Sequence, residues 1–596
     1  MSYEEDKIGF AISSGAYFVE TNGGGNGKPG GDPMITAYKA NAAVAKYSRD
    51  VAKEIFGEHR VYGYSFGGSG GAYRTIGGIE NSDAWDGAVP YVVGSPVAIP
   101  NVFAVRMHAM RILDHKFPQI IDALQPGGSG DMYVGLNEEE KAALTEVTKM
   151  GFPPQSWFGY KTMGVHGFAA VYGGMVSADP GYYGDFWEKP GYLGYDHPES
   201  FKNARLKQTG KIKRAIYEKE AVELGLIAAP SAKERGTAEA AWKGQGQNEA
   251  GKIPVAFQLE EELPNIPFLG GDLNIKSGVA YGKTISLNAV GRDKIIVGVG
   301  NLETVAQLNA GDLVEVDNSR FLAAQTYHRH QVPGKEYKVW DQFRDGQGKP
   351  IYPQRARLLG PSFTMAASGV LPSGDIKGKV IILSALWDRE AFPWQGDWYK
   401  AKIEEKLGSN KASDNYRLWY MDRALHGDLS AQEDPTRTVS YLGILQQALR
   451  DLSLWVEKGI APSPTTSYQI VDGQVIVPPT AKDRNGIQPT ADLTVNGKKS
   501  VEVSKGKKIK LKASVDLPAK TGSIVSVEWD FDGKGTFGTK GKFKKRLGGA
   551  KASISHRFTE PGIYFVTVRA ISERNGNTTT PFARIQNLDK VRVVVK

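Results

Sequence analysis

The chain has no cysteine among its 596 residues. That excludes disulfides, thiolate metal sites and a cysteine nucleophile, and it leaves the cellular compartment open. It also lacks any run of 18 or more apolar residues, so no membrane-spanning helix is expected. The opening residues Met1-Ser2-Tyr3-Glu4-Glu5-Asp6 are acidic and contain no apolar stretch of the secretory-signal type. An excess of one charge is missing from most of the chain. Residues 491–596 hold 22 Lys and Arg against 9 Asp and Glu, a balance of +13, and the rest holds 52 against 56, a balance of −4. No basic groove with interleaved stacking aromatics accompanies that C-terminal excess, so no nucleic-acid partner and no membrane partner is expected. The lysines read as the solvated face of a β module.

What is present points to a globular protein of two to four units, with 41% hydrophobic and 23% charged residues. Ile8–Ser13 reads as the tail of a helix, Ala16–Glu20 as a short buried strand, and Met34–Phe56 as a helix stopped by Gly57. Strand Val61–Phe66, a helix from Ala72, and strand Asp86–Val93 follow. The alternation predicts a parallel α/β sheet. Few strands precede residue 60, so the sheet is expected to begin inside the domain, with a truncated N-terminus. The alternation stops over 100–359, a long aromatic, Gly/Pro-punctuated insertion with a small β subdomain near 275–324. It resumes at Lys379–Ala385, a run suited to a strand buried on both faces. A helix around Trp398–Leu407, a strand Tyr416–Met421 and a helix Thr436–Lys458 complete it.

The stretch His59–Thr75 contains two overlapping G-x-S-x-G patterns, Gly63–Gly67 around Ser65 and Gly67–Gly71 around Ser69. This pattern marks a nucleophile elbow, a strand-to-helix turn that presents a serine hydroxyl above a parallel sheet. A serine needs a base within hydrogen-bond reach, and the base needs an orienting acid. Asp388 lies three residues beyond the strand Lys379–Ala385, and His426 five residues beyond Met421. Together with the serine they follow the order Ser, Asp, His of α/β-hydrolases. Glu390 and Asp428 are the nearest rivals for the acid. His59, His108, His115, His166, His197 and His556 lie in expected helices, the insertion or the C-terminal module. The pair His328/His330 forms an H-x-H without an accompanying carboxylate cluster, which favours a structural role over metal. Ser69 is preferred to Ser65 as nucleophile, because with Ser65 the following helix would open on Gly67, Gly68, Gly70 and Gly71, each costing about 1 kcal/mol relative to Ala. The N–H of Gly70 is then one oxyanion-hole donor, and Asn22–Gly25 is a candidate pocket wall.

Residues 1–99 and 360–465 resemble the α/β-hydrolase superfamily, and within it the tannase and feruloyl-esterase-like branch. The resemblance is carried by Gly15–Thr21, the elbow, Trp85-Asp86-Gly87 and Leu454–Pro462, together with the inserted lid, 100–359. It implies the triad Ser69, Asp388 and His426. That branch carries cysteines beside its serine and histidine. Here Gly68 or Tyr64, and Gly427, stand in those places, so the branch's substrates are not carried over. No lid calcium ligands are visible, and no metal or cofactor is expected. Beyond a linker, 466–489, in a Pro/Thr-rich stretch, residues 490–596 resemble a PKD-type β-sandwich through Trp529-Asp530-Phe531-Asp532-Gly533 and Glu560–Val568. That resemblance implies a secreted or periplasmic protein, with polysaccharide or protein as the module's contacts. The expected fold class is therefore an α/β-hydrolase parallel sheet with a large inserted lid, plus a C-terminal all-β PKD-like sandwich. The expected activity is cleavage of a small-molecule or polymeric carboxylic ester. A polyester or peptide hydrolase on the same residues, and a non-catalytic adhesion protein with a vestigial hydrolase part, are the alternatives.

Overall fold

The computed structural model describes residues 6–25, 31–163, 166–227, 252–298, 300, 302–427 and 431–596. A helical segment starts as a π-turn at Ile35–Lys39 and continues as α1 (Ala40–Phe56), closed by Gly57 at φ 80°. Strand β1 (Tyr64–Gly68), helix α2 (Gly70–Asn81) and strand β2 (Gly87–Tyr91) follow. The segment Ala16–Glu20 is not the strand its sequence predicts. Tyr17 and Val19 stay exposed, and Phe18 reaches β1 only through a ring contact with Phe66 at 6.4 Å. Four apolar residues without a backbone partner cannot make a buried strand. Among the described residues the outer edge of β1 is unpaired.

Between β2 and the next core strand runs the insertion. Helices α3 (Asn101–Leu113) and α4 (Glu138–Lys149) pack within it. The expected β subdomain is larger than 275–324. It is a closed barrel of β3 (Lys207–Ile216), β4 (Ala256–Leu259), β5 (Gly271–Ile275), β6 (Thr284–Gly291), β7 (Lys294–Val297) and β8 (Leu313–Asp317), in the order β3-β4-β7-β6-β5-β8. The first barrel strand, Lys-Gln-Thr-Gly-Lys-Ile-Lys-Arg-Ala-Ile, buries few residues and is far in sequence from the rest, which hid it.

The core resumes with β9 (Lys379–Ala385), α5 (Trp394–Leu407), β10 (Tyr416–Met421) and α6 (Leu442–Lys458). The four core strands form one parallel sheet, β1-β2-β9-β10. Its two faces bury alternate residues in separate cores. Val380, Ile382, Leu418 and Tyr420 point into the core shared with the insertion. Ile381, Leu383, Trp419 and Met421 point to the other face. This period of two on both faces explains the unbroken apolar run Val380–Leu383 within β9. The second face is covered by α6, whose Ile444, Ala448, Leu452 and Trp455 recur at helical spacing. The helix is closed by Gly459 at φ 68°. It starts six residues later than its pattern predicts, because Asp434 organises a turn over Thr436–Thr438 instead.

The segment 466–489, expected as a linker, lies against the core. The Thr466 N–H donates to the Leu418 carbonyl at 2.9 Å. A hairpin, β11 (Gln469–Val471) and β12 (Gln474–Ile476), lets Gln474 reach the Thr148 and Phe152 carbonyls. Beyond it stand two facing antiparallel-rich sheets. One is β13 (Thr490–Val495), β15 (Lys508–Asp516), β19 (Gly549–Arg557) and β18 (Phe543–Arg546). The other is β14 (Ser500–Val503), β21 (Ile585–Val595), β20 (Gly562–Glu573), β16 (Ser523–Asp530) and β17 (Thr539–Lys540). Trp529, Leu511, Val568 and Val593 fill the space between them. This sandwich rests on α6: a Cβ on Gly443 would stand 2.1 Å from the Arg584 carbonyl oxygen, and the Ala583 N–H donates to Gln446 at 2.7 Å.

Candidate active site

The turn between β1 and α2 is a strained one. Ser69 has φ 56° and ψ −118°, a conformation that costs a non-glycine residue about 1–3 kcal/mol. The turn is forced by close packing around it. A Cβ on Gly67 would lie 2.6 Å from the Gly71 carbonyl oxygen, and one on Gly68 would lie 2.1 Å from the Tyr91 ring. The Ser69 N–H donates to the Tyr91 carbonyl at 3.2 Å, and its own carbonyl accepts from Ala72 and Tyr73. Its hydroxyl does not cap the helix, so the side chain is not spent on local structure. Gly70 and Gly71 occupy the first helical turn, where backbone N–H groups have no partner within the helix. The helix therefore does not avoid these glycines by waiting for Ala72. The strand also runs on to Gly68 rather than stopping at Phe66, so the chain leaves it at Ser69 already turned into a helix.

Ser65 sits inside β1, paired with Ala88. Its hydroxyl oxygen is buried and has no hydrogen-bond partner.

Asp388 is fully buried on the loop leaving β9. One carboxylate oxygen accepts from the N–H groups of Glu390 and Ala391, each at 2.8 Å. His426 Nδ1 lies 2.9 Å and 2.8 Å from the two carboxylate oxygens. A carboxylate can only accept here, so Nδ1 carries the proton and Nε2 is the basic nitrogen of the neutral ring. The loops that bear the pair are laced together: Leu386 N–H donates to the Met421 carbonyl at 2.9 Å, and Trp387 N–H to that of Ala424 at 3.1 Å. The His426 carbonyl accepts from the Tyr441 hydroxyl at 2.7 Å. The rival Glu390 faces Arg106 at 3.5 Å. The other rival, Asp428, lies outside the described residues. The N–H groups of Gly23, Gly24 and Gly25 donate to Thr21 and Asn22, so this loop spends its donors on itself.

The aromatic contacts of Trp387, the neighbour of Asp388, were not singled out by sequence. Trp387, next to Asp388, packs on Phe158 of the insertion at 6.2 Å. Its carbonyl accepts from the Ser156 hydroxyl at 2.6 Å. The guanidinium of Arg423 lies 5.3 Å from the Trp387 ring, and those of Arg389 and Arg437 lie 4.8 Å and 5.3 Å from Phe158. Arg389 pairs with Glu433 at 2.7 Å. Elsewhere in the insertion a cavity of about 500 Å³ is lined by Met110, Phe117, Tyr160, Leu269, His115 and Lys161, among others.

His328 and His330 are both buried and serve the insertion. His328 meets Glu146 at 2.7 Å, and Glu146 also holds Arg329 at 2.7 Å. Arg329, His328 and His108 hold the Glu146 carboxyl far below the usual carboxylate range despite its burial. His330 Nδ1–H donates to the Pro353 carbonyl at 2.7 Å, the ring stacks on Tyr192 at 4.3 Å, and burial pushes its imidazole down to about 3. Among the described residues no group of three or more His, Asp or Glu is placed to hold a metal ion. None of the described helices is long and apolar enough to cross a membrane.

No curated protein matches the chain. Solved structures similar to it include feruloyl esterase B from Aspergillus oryzae, at 12% identity over 78% of this chain and 76% of that one, with a TM-score of 0.28. An esterase from Aspergillus oryzae follows at 12% identity over 78% and 74%, with a TM-score of 0.25. A CARDB domain from Pyrococcus furiosus covers 18% of this chain and 97% of its own length, at 17% identity and a TM-score of 0.12. Likenesses this low carry no argument for what the chain does. The model of the PKD-domain family matches residues 492–584, and the C-terminal sandwich is a PKD domain.

Proposed function

We propose that the chain is a serine hydrolase of α/β-hydrolase type that cleaves carboxylic esters, with Ser69 as nucleophile, His426 as general base and Asp388 as the acid that orients it. The observation that carries this reading is the 2.8–2.9 Å approach of His426 Nδ1 to both oxygens of a fully buried Asp388. It is supported by the strained turn at Ser69. Ser69, Asp388 and His426 all follow the C-terminal ends of strands in one parallel sheet, the end at which α/β sites form.

In this mechanism His426 Nε2 takes the proton of Ser69 Oγ as the oxygen attacks the acyl carbon. Asp388 stabilises the imidazolium without taking its proton. The N–H of Gly70, at the positive end of α2, faces the developing oxyanion. The imidazolium protonates the departing alcohol, and a water deprotonated by His426 then releases the acid from the acyl-enzyme. The aromatic insertion would select the acyl or alcohol group, and the PKD domain argues for a secreted or periplasmic setting with polysaccharide or protein contacts.

A fluorophosphonate probe tests the reading: Ser69 of the intact chain is expected to be labelled, and His426→Ala is expected to stop it. An unlabelled wild type would refute it and leave a binding protein. Turnover of p-nitrophenyl esters but not of the matching anilides is expected, and the opposite result would make it a peptide hydrolase.

A further inference from the structure

We propose that the PKD domain is a positioning element of the acid–base pair, acting through Asp589 on Arg423. This rests on the reading of His426 as general base. Arg423 is the second residue beyond β10 and the third before His426, and it holds φ 56°, a conformation unusual for a side-chain-bearing residue. Its carbonyl accepts from the Val439 N–H at 3.0 Å. Its guanidinium lies over Trp387, the neighbour of Asp388, and reaches Asp589 of β21 at 3.4 Å. One side chain thus touches the loop of the acid, belongs to the loop of the base, and ends on the sandwich.

Asp589 is fixed on its own side. It accepts from the Leu493 N–H at 2.7 Å and from Lys499 at 2.6 Å, and it is largely buried. A further tie acts on the same turn, and another lies beyond the base. The Asp422 N–H donates to Gln488 at 2.7 Å, and the Gln488 amide returns to the Asp422 carbonyl and to the Gln586 carbonyl of β21. Beyond His426, Pro435 lies against the loop after the Trp-Asp-Phe-Asp-Gly motif: a Cβ on Gly535 would stand 3.0 Å from it. A catalytic base displaced by about 1 Å loses about a hundredfold in rate, so a turn held from another domain makes that domain part of the active-site scaffold. An accessory module on a flexible tether would show no such contacts.

The test uses the full chain and three variants. Asp589→Asn removes the charge and keeps the shape, Arg423→Met keeps the stem, and Glu528→Gln breaks the Glu528–Arg569 pair inside the sandwich as a stability control. Asp589→Asn and Arg423→Met are each expected to lower kcat on p-nitrophenyl acetate about tenfold with KM held within about twofold. The double variant should be no worse than the worse single, and Glu528→Gln should leave kcat unchanged. The downfield proton resonance of His426 Nδ1–H, read by NMR whether or not the protein turns over ester, should broaden in the first two variants and persist in the control. Unchanged kcat and resonance in Asp589→Asn, or an equal loss in Glu528→Gln, would overturn the proposal. A wild type with a sharp resonance and no turnover refutes the hydrolase reading instead, and the resonance alone then decides the positioning role.

Discussion

Ser69 is held by its immediate neighbours: Gly67 and Gly68 behind it, Tyr91 beside it, and the first turn of α2 ahead of it. The loops that bear Asp388 and His426 are contacted from three regions: Ser156 and Phe158 of the insertion meet Trp387, Arg423 of the core lies over Trp387, and Asp589 of the PKD domain meets Arg423. The first arrangement is local and tightly packed on its strand side, so a single methyl group added at Gly67 or Gly68 disturbs it. The second is distributed, so each contact is replaceable but each remote region gains a hold on the chemistry. The difference separates substitutions that act by strain from those that act at a distance.

The largest expected effect tests whether the local half is the nucleophile. Ser69→Ala should abolish fluorophosphonate labelling and lower kcat by about a thousandfold or more, while Ser65→Ala, inside β1, should still be labelled. Labelling lost in Ser65→Ala and kept in Ser69→Ala would move the nucleophile into the strand and end the comparison. On the distributed half, Asp388→Asn should lower kcat by about a hundredfold to ten-thousandfold with little change in KM, since it loses the tautomer control at Nδ1.

The same contrast explains what could be read from sequence. The strand-to-helix turn at Ser69 was legible because its signal is local: Gly67, Ser69 and Gly71 fall within five consecutive residues at a fixed spacing. Lys379–Ala385 and Tyr416–Met421 were legible to the residue because burial on both faces gives them the unbroken apolar runs Val380–Leu383 and Leu418–Met421. Asp388 and His426 could be picked out by order along the chain and by their places after two such strands. Arg423, Trp387 and Asp589 carried no signal, because a cation over a ring or a pair across domains has no fixed spacing. The strand expected at Ala16–Glu20 failed for a related reason: four apolar residues specify a strand only if an edge accepts them.

The distributed half has a pH-sensitive neighbour that can sharpen the comparison. Lys590 is buried beside Phe565. Burial first, and then Arg437 and Arg423, push its amine from an ordinary 10.5 down to about 6, against the pull of Asp434 and Asp589. Between those two values the unfolded chain binds the proton that the folded chain releases, so the stability of the fold rises with pH across that window. Lys590→Met removes the penalty. The variant is expected to be more stable than wild type near neutral pH by about 1–3 kcal/mol, with the advantage shrinking toward pH 10. Urea midpoints of both proteins at the two pH values measure it, and an advantage independent of pH would show that Lys590 is not held neutral at this interface.

The smallest effects set one glycine of the local half against another. Gly67→Ala forces backbone apart, because its new Cβ would meet the Gly71 carbonyl at 2.6 Å. A loss of about 1–3 kcal/mol is expected, with kcat falling because the displaced atoms include the turn that aims Ser69. Gly71→Ala places its Cβ in open space, with nothing within 4 Å, on a helical residue. The substitution should stabilise the protein by up to about 0.5–1 kcal/mol, through the lost freedom of glycine in the unfolded chain. Thermal midpoints and kcat measured side by side decide whether strain is confined to the strand side of Ser69. A Gly71→Ala variant as damaged as Gly67→Ala would place the steric constraint on the helix side too, where a substrate or the oxyanion would have to approach.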